Sequence, residues 1–554
     1  MTGATADGAD GSEKVESALE LEKARAPERH SRTSVLTELR STTLSSLPVV
    51  GLNLAVFATS LFPQAMIGNR CEASKLAACA LAISFSNVTG LSLTVGLSVS
   101  LETLVAQANG ANQFRRCGVF LQNAIVIESA AIALVSALYS LGEHLFLAIG
   151  QEPSVARLAG QYLLANIPNI VGVALLNVVM RFLFAQDIFA PLFFVAAAGL
   201  GLQVITTAPL MDVAGWLGAP VAAAIGSWTM ALLIIGIIAY YEWKRLPDER
   251  RWHGFKVSEA FSGLPKFISL AIASLGQVAI EWCAQHLHSS LPVTGRVISF
   301  VVTIVPSRQF SSCYCRWAFE LLIVSSGWVS KNPDVSVSAS AIAYSLISFV
   351  FSIWLGISQA TSSRTGNFLG SGEHSYARLA AYAGMFVSGS LGVLWTILSF
   401  SISKQLALLF AREEEDNLLE AFASIMPFAL ALQVGDSVQA NAAGTLRGQG
   451  RQGLASVLNL ISYWVVGVGS AAALAVGADL KLRGLWIGVL IANAVQCIFL
   501  VTTVVRSDWR LQAENAVALQ AADTGGDKAD EEAAQADASK SELSSLLHKE
   551  THPD

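Results

Sequence analysis

The sequence predicts an all-α membrane protein, with twelve transmembrane helices in two six-helix bundles related by an internal repeat. Three observations carry this prediction. Hydrophobic residues make up 53% of the chain and charged residues only 14%, where soluble domains carry about 25% charged residues, and mean hydropathy is +0.53. Apolar stretches of about 20 residues, enough to cross about 30 Å of hydrocarbon as helix, recur along the chain. Motifs of the first part also return in the same order in the second.

The spans are expected at 44–66, 78–104, 119–141, 158–184, 189–210 and 217–241, then 265–282 joined to 317–329, 336–361, 378–402, 419–445, 453–476 and 483–505. They divide the chain into a first bundle (35–241), a linker loop (242–264) and a second bundle (265–505). The tails, 1–34 and 506–554, are rich in Ala, Glu, Asp, Ser and Lys and are expected to be disordered. Residues 1–34 contain no apolar core of a secretory signal. The cysteines at 71, 79, 117, 283, 313, 315 and 497 have no framework spacing, so no structural disulfide is expected.

Basic residues orient the bundle. Lys244, Arg245, Arg250, Arg251 and Lys256 occupy the linker, and Arg40, Arg115, Arg116, Arg364, Arg447, Arg451 and Arg506 fall on the same side. The opposite side carries the acidic run Glu413, Glu414, Glu415 and Asp416. The positive-inside rule then puts both termini in the cytoplasm.

The repeat is visible residue by residue. Gly96-Leu-Ser-Val-Ser, ending in Gly110-Ala-Asn, matches Gly356-Ile-Ser-Gln-Ala, ending in Gly370-Ser-Gly, and this sets Gln107 opposite Asn367. Leu183-Phe-Ala-Gln186 matches Leu446-Arg-Gly-Gln449, and Gly218-Ala-Pro matches Gly484-Leu-Trp. Two halves of this kind place transporter sites near the bilayer midplane.

Residues 283–316 break the symmetry. The apolar core of this segment, Val297 to Val305, is too short to span, and a crossing there would put the later basic loops on the wrong side. His286, His288, Cys313 and Cys315 are zinc-ligand types, but the segment as a whole reads as foreign and a metal site is not favoured. The favoured expectation is a retained intron translated in frame. Trp282-Cys283 must be encoded TGG-TGY, which supplies a GT donor, and Phe310-Ser-Ser-Cys-Tyr-Cys-Arg316 can be encoded by a pyrimidine-rich tract ending in CAG followed by G. Excision restores Glu-Trp-Trp-Ala-Phe-Glu from Glu281-Trp282 and Trp317-Ala-Phe-Glu320 inside one apolar span. Glu281 is thus a carboxylate within lipid-length hydrophobic sequence, which marks it as a functional candidate.

With these residues in place, the chain resembles the multidrug and toxic compound extrusion (MATE) transporters, eukaryotic branch, over about residues 40–505 apart from the insert. The likeness rests on Ser84-Phe-Ser-Asn87-Val-Thr-Gly90, Leu101-Glu-Thr-Leu-Val-Ala-Gln107-Ala-Asn-Gly-Ala111, the split Glu281-Trp…Trp-Ala-Phe-Glu320, Arg364-Thr-Gly-Asn-Phe-Leu-Gly370 and Gly444-Thr-Leu-Arg-Gly-Gln-Gly-Arg-Gln452. The resemblance implies two bundles around a central cleft, alternating access, and export driven by proton exchange. It also implies roles for Glu281 and Glu320 in the seventh helix and for Asp436, in Gly435-Asp-Ser-Val-Gln439, in the tenth. Many bacterial relatives carry an aspartate in the first helix, whereas residues 44–66 contain no acid. Proton coupling is therefore expected in the second half.

Low dielectric disfavours a charged carboxylate, so a proton and a cationic cargo would compete for one negative charge. After excision Glu281 and Glu320 stand five positions apart, about 140° on an ideal helix, so they do not share one face. Glu281 is expected to be the proton and cation site, with Asp436 as its partner. The candidate binding residues are Glu281, Glu320, Asp436, Asn87, Glu102 and Trp317. Bland readings stand beside them: Glu320 tied down by hydrogen bonds, Glu102 capping or bridging helices, Glu128 structural, Asn87 as interhelical glue, and Trp282 and Trp317 packing or facing lipid instead of stacking on a cation.

The function expected is secondary transport: export of organic cations, xenobiotics or metabolites by proton antiport. The alternatives are an organic anion (such as citrate) exporter or a lipid-linked precursor flippase. These would call for cationic residues in the cleft, and no lysine or arginine stands out in mid-span. An enzyme is disfavoured because all eight histidines lie in tails, loops or the insert. The partners expected are a small organic substrate and the lipid bilayer, not nucleic acid, with the chain acting as a monomer. No cofactor is expected beyond the coupling proton, and sodium is the less favoured ion. Glu542-Leu-Ser-Ser-Leu546-Leu547 resembles an acidic dileucine address, which adds vacuolar or endosomal membranes to the plasma membrane as destinations.

Overall fold

The computed structural model describes residues 35–148, 151–265, 267–272, 274, 333–402 and 416–520. The seventh span is described only at its beginning. Glu281, Trp282, Trp317, Glu320, the segment 283–316 and the expected disordered N-tail lie outside the described residues.

The other spans are helices. In the first half these are α1 (Val35–Arg70), α2 (Ala73–Ser86, a π turn Asn87–Leu91, then Ser92–Gly110), α3 (Phe114–Ser140), α4 (Pro153–Phe184), α5 (Leu192–Ala214) and α6 (Gly218–Lys244). In the second half they are α7 (Pro333–Gly370), α8 (His374–Ser401), α9 (Asp416–Gly448), α10 (Gln452–Leu460 continuing through π turns to Gly477) and α11 (Lys481–Val505). Among the described residues, ten stretches are long and apolar enough to cross a membrane; one of them, 192–244, is α5 and α6 joined at a turn, so it is long enough to cross twice. Gly215, with φ of 64°, makes that turn possible.

Helix is what this composition dictates, because hydrocarbon offers no partner to an unpaired backbone group. The prolines at 48, 63, 168, 209 and 427 sit inside helices, as membrane helices tolerate when neighbours satisfy the freed groups. Burial is inverted relative to a soluble protein. Phe194, Ile205, Val213, Ile397 and Phe400 are exposed on the outside, while Thr94, Ser98, Glu102, Gln107, Gln359, Asp436 and Asn493 are buried. Polar groups hold the helices together and apolar groups face the lipid.

The halves meet mainly through α1 and α2 packed on α7, with α1 also against α8. Phe57 and Phe349 meet edge to face, with centroids 6.0 Å apart, and Asn53 Nδ2 donates to Gln359 Oε1 at 2.9 Å. The linker after α6 folds back on α3: Lys256 N donates to Gln122 Oε1 at 2.8 Å, and Asn123 Nδ2 donates to the Ser262 carbonyl at 3.0 Å.

One expectation is overturned. Residues 509–520, assigned to a disordered tail, form a further helix, α12. Asp508 caps it, its Oδ1 accepting from Leu511 N at 3.1 Å. Trp509, Ala513, Ala516 and Gln520, at helical spacing, are all buried. The first three join a second-half core with Leu369, Leu446 and Leu500, while Leu519 packs against the first-half core. Arg116 Nη1 donates to both the backbone carbonyl and the side-chain oxygen of Gln520. A polar tail composition conceals this face because two of its four buried residues are alanine and one is glutamine.

Candidate functional site

Asp436 lies in the body of α9 with 4% of its surface exposed. Its Oδ1 accepts from Asn493 Nδ2 of α11 and from Gln439 Nε2, one turn along α9, both at 2.6 Å. Both amides also lie 3.4 Å from the Tyr463 hydroxyl of α10. Tyr463 sits in the π turn Ile461–Gly467, a local widening that often marks functional sites. Gly435 is required at this spot, because a Cβ there would lie 1.8 Å from Asn493 Oδ1. One turn before Asp436, Gln433 Oε1 accepts from Trp354 Nε1 of α7 at 3.1 Å. The second half therefore holds a carboxylate among neutral amides and a phenol, reached from four helices. Asp436 and Gln439 are legible in the sequence. Asn493 and Tyr463 are not singled out there, although a lone amide in the apolar run of α11 is a usable signal.

The first-half candidates stand apart from this cluster. Glu102 of α2 pairs with Arg181 of α4, whose Nη1 donates to Oε2, and Arg181 Nε donates to Ser98 Oγ at 3.2 Å. Both side chains are almost fully buried. Glu102 thus bridges helices, the structural alternative given for it. Arg181 is three residues from the end of α4 and so is not a mid-span cation, yet its guanidinium is inside the core, which the sequence reading does not anticipate. Asn87 opens the π turn of α2 and is half-buried. Beside it, Ser86 Oγ accepts from Tyr139 at 2.8 Å and from Asn166 at 3.1 Å. Of the six candidates, the structure places Asp436, Asn87 and Glu102, in separate clusters. Glu281, Glu320 and Trp317 lie outside the described residues.

At the basic end the halves are joined by a pseudo-twofold set of bonds. Thr103 Oγ1 and Gln107 Nε2 of α2 donate to the carbonyls of Arg447 and Gly448, each at 3.0 Å. Their repeat equivalents on α7, Ser363 Oγ and Asn367 Nδ2, donate to the carbonyls of Phe184 and Ala185, the latter at 2.9 Å. The sequence alignment of the halves predicts this equivalence position by position. Arg364 and Glu38 add a two-pronged ion pair between α7 and α1, with distances of 2.7 and 2.8 Å from Nη2 to the carboxylate oxygens. Asp187 Oδ1, at the turn after α4, lies 2.9 Å from Ser363 Oγ and shares that hydroxyl's single proton with the Phe184 carbonyl.

Comparison with known proteins agrees with this architecture. The MatE family model matches twice, over residues 48–208 and 310–472, which reproduces the two-half organisation. Protein DETOXIFICATION 14 of Arabidopsis thaliana is 27% identical across 88% of this chain and 92% of its own. Protein DETOXIFICATION 1 from the same plant is 28% identical across 87% and 93%. The crystal structure of the eukaryotic MATE transporter AtDTX14 superposes with a TM-score of 0.73 at 26% identity, covering 87% of this chain and 99% of that one. An outward-facing multidrug resistance MATE family transporter of the MOP superfamily shares the fold, with a TM-score of 0.68 at 16% identity over 88% of this chain and 99% of its own. Doubled family match, helix arrangement and full-length relatives converge: the chain belongs to the MATE family, and it is a multi-pass membrane transporter of the eukaryotic branch, not an enzyme.

Proposed function

We propose that this transporter exports organic cations, xenobiotics or metabolites in exchange for protons by alternating access. The observation that carries the reading is Asp436, a carboxylate inside the second bundle whose Oδ1 is held by two neutral amides. Two N–H donors stabilise the ionised form, while burial opposes it. A proton, or a cation at the carboxylate, relieves that cost. Cargo and proton then exclude one another on one charge, which makes exchange obligatory if the halves rock only when the charge is covered. Glu281 and Glu320 of the seventh span are assigned to the same path, Trp317 to contact with the cargo's flat face, and Asn87 to the cleft wall.

The latch of Thr103, Gln107, Ser363 and Asn367 closes the basic end, assigned to the cytoplasm with both termini. The plasma membrane and vacuolar or endosomal membranes are the proposed locations. The test is uptake into proteoliposomes with an imposed pH gradient, using panels of organic cations and anions. Asp436→Asn is expected to abolish gradient-driven cation exchange while leaving the protein folded. Exchange that persists in this variant, or that ignores the gradient, overturns the proposal.

A further inference from the structure

The first half contains a buried acid that the exchange path above does not use. Glu128 lies in the middle of α3, 4% exposed, beside Ile125, Ile127 and Ala131, which pack on the first-half core. Neither of its carboxyl oxygens has a hydrogen-bond partner. A naked carboxylate in that position would lack both water and a donor, and is strongly penalised. The acid form removes most of that penalty without any rearrangement.

The surroundings say how the charge is managed. Among the helices packed on α3, α2 carries Glu102 and α4 carries Arg157 and Arg181. The short helix Gly142–Ala148 carries Glu143 and His144, and the helix Val257–Ala260 carries Glu259 next to Lys256. Arg115 and Arg116 belong to α3 itself. Arg115, Arg116, Lys256 and Glu259 are at the basic end, and Glu143, His144 and Arg157 at the other. The buried cation on these helices in the body of the bundle is Arg181, on α4, which packs against α3. Arg181 is already paired, with Nη1 on Glu102 and Nε on Ser98, and Glu102 Oε1 has no partner. Two acids thus share one buried base. With Glu128 protonated the trio is neutral; with it ionised the trio carries one uncompensated charge.

We propose that Glu128 is a proton-binding site in the first half, with Arg181 as a counter-ion shared between it and Glu102. Loss of the proton draws the guanidinium from Glu102 toward Glu128, so the link between α2 and α4 loosens as α3 takes up charge. The site is separate from Asp436 and lies in the other bundle. It rests on the proton-coupled reading only for its use in transport, not for the binding itself.

The experiment is infrared difference spectroscopy of the carboxyl stretch on the purified full-length protein across a pH titration, without cargo. The wild type is expected to show a protonated buried carboxyl at neutral pH that disappears in alkali. Glu128→Gln should remove that band with unchanged thermal stability, since one neutral side chain replaces another of the same shape. Asp436→Asn should retain the band, so the two sites fail independently. Glu102→Gln frees Arg181 and should weaken the Glu128 band at neutral pH by about tenfold in protonated-to-ionised ratio. A carboxyl spectrum unchanged by Glu128→Gln overturns the site. A band indifferent to Glu102→Gln overturns the shared counter-ion.

Discussion

Gln107 and Asn367 occupy equivalent places in the two halves, and each gives its side-chain amide to a backbone carbonyl of the opposite half, Gly448 at 3.0 Å and Ala185 at 2.9 Å. The reciprocity extends to the backbone. A Cβ on Gly110 would stand 1.9 Å from the Asn367 carbonyl oxygen, and one on Gly370 would stand 2.0 Å from that of Gln107. The basic end is closed by two copies of one contact, and both copies depend on a missing side chain.

Gly110→Ala and Gly370→Ala are therefore expected to hold the halves apart at this end. Ordinary contact begins near 3.4 Å, so the backbones must separate by about 1.5 Å or more. Spin labels placed on the ends of α2 and α7 should report the longer distance, and exchange should slow. Unchanged distances in both variants would show that the latch yields without cost.

The Arg364–Glu38 pair ties α7 to α1 with Glu38 almost wholly buried. Glu38→Gln removes the paired carboxylate and leaves the partly buried guanidinium with only the neighbouring Asp187 as counter-charge, a loss of about 1–3 kcal/mol. The expected outcome is a closed end that admits a thiol reagent to a nearby engineered cysteine faster than in wild type. A protection rate equal to wild type would mean that water satisfies Arg364.

The repeat makes the equivalence of the two contacts legible in the sequence, but not the contacts themselves. Matching Gly110 to Gly370, and Leu183 to Leu446, aligns every donor and acceptor involved. The periodicity of apolar residues was equally sufficient for the helices, because lipid enforces helix wherever such a run occurs. What escaped was information carried by side-chain direction. Arg181 reads as a residue at a helix end, yet it turns inward to Glu102. Asn493 reads as an isolated amide, yet it meets Asp436 from a helix 57 positions away. Nothing in local sequence specifies which neighbouring helix such a residue will face.

Asp187 gives the closed end a pH dependence. The residue as a whole is exposed, but desolvation of its carboxyl where Oδ1 meets Ser363 pushes it up from the ordinary aspartate value, against the pull of Arg364 and the Ser363 hydrogen bond, with Glu38 adding to the rise. A raised value in the closed form means that its contribution is fully present at low pH and is lost as pH rises through about 6. The turn itself is open to solvent, so screening keeps the effect small. Asp187→Asn is expected to flatten the acid side of the pH profile for closure, measured with the same cysteine-protection assay. A profile of unchanged slope would place the titration elsewhere.

Helix α12 touches both halves at the closed basic end. Trp509 stacks edge-on against Tyr382, with centroids 6.4 Å apart, and is 6% exposed in the second-half core. Leu519 and Gln520 rest on the first half, where Arg116 grips the helix end. Parting the halves must break one of these contacts, so α12 adds its binding energy to the closed state. Trp509→Ala removes a large buried side chain and is expected to cost about 3 kcal/mol, seen as a lower unfolding midpoint. Arg116→Ala leaves the Trp509 anchor intact and breaks the first-half grip, together with the contacts of Arg116 to Gln113 and Phe120. It should therefore speed opening at the basic end with little change in overall stability. If Arg116→Ala and Trp509→Ala lower stability alike and neither alters opening, α12 is packing and nothing more.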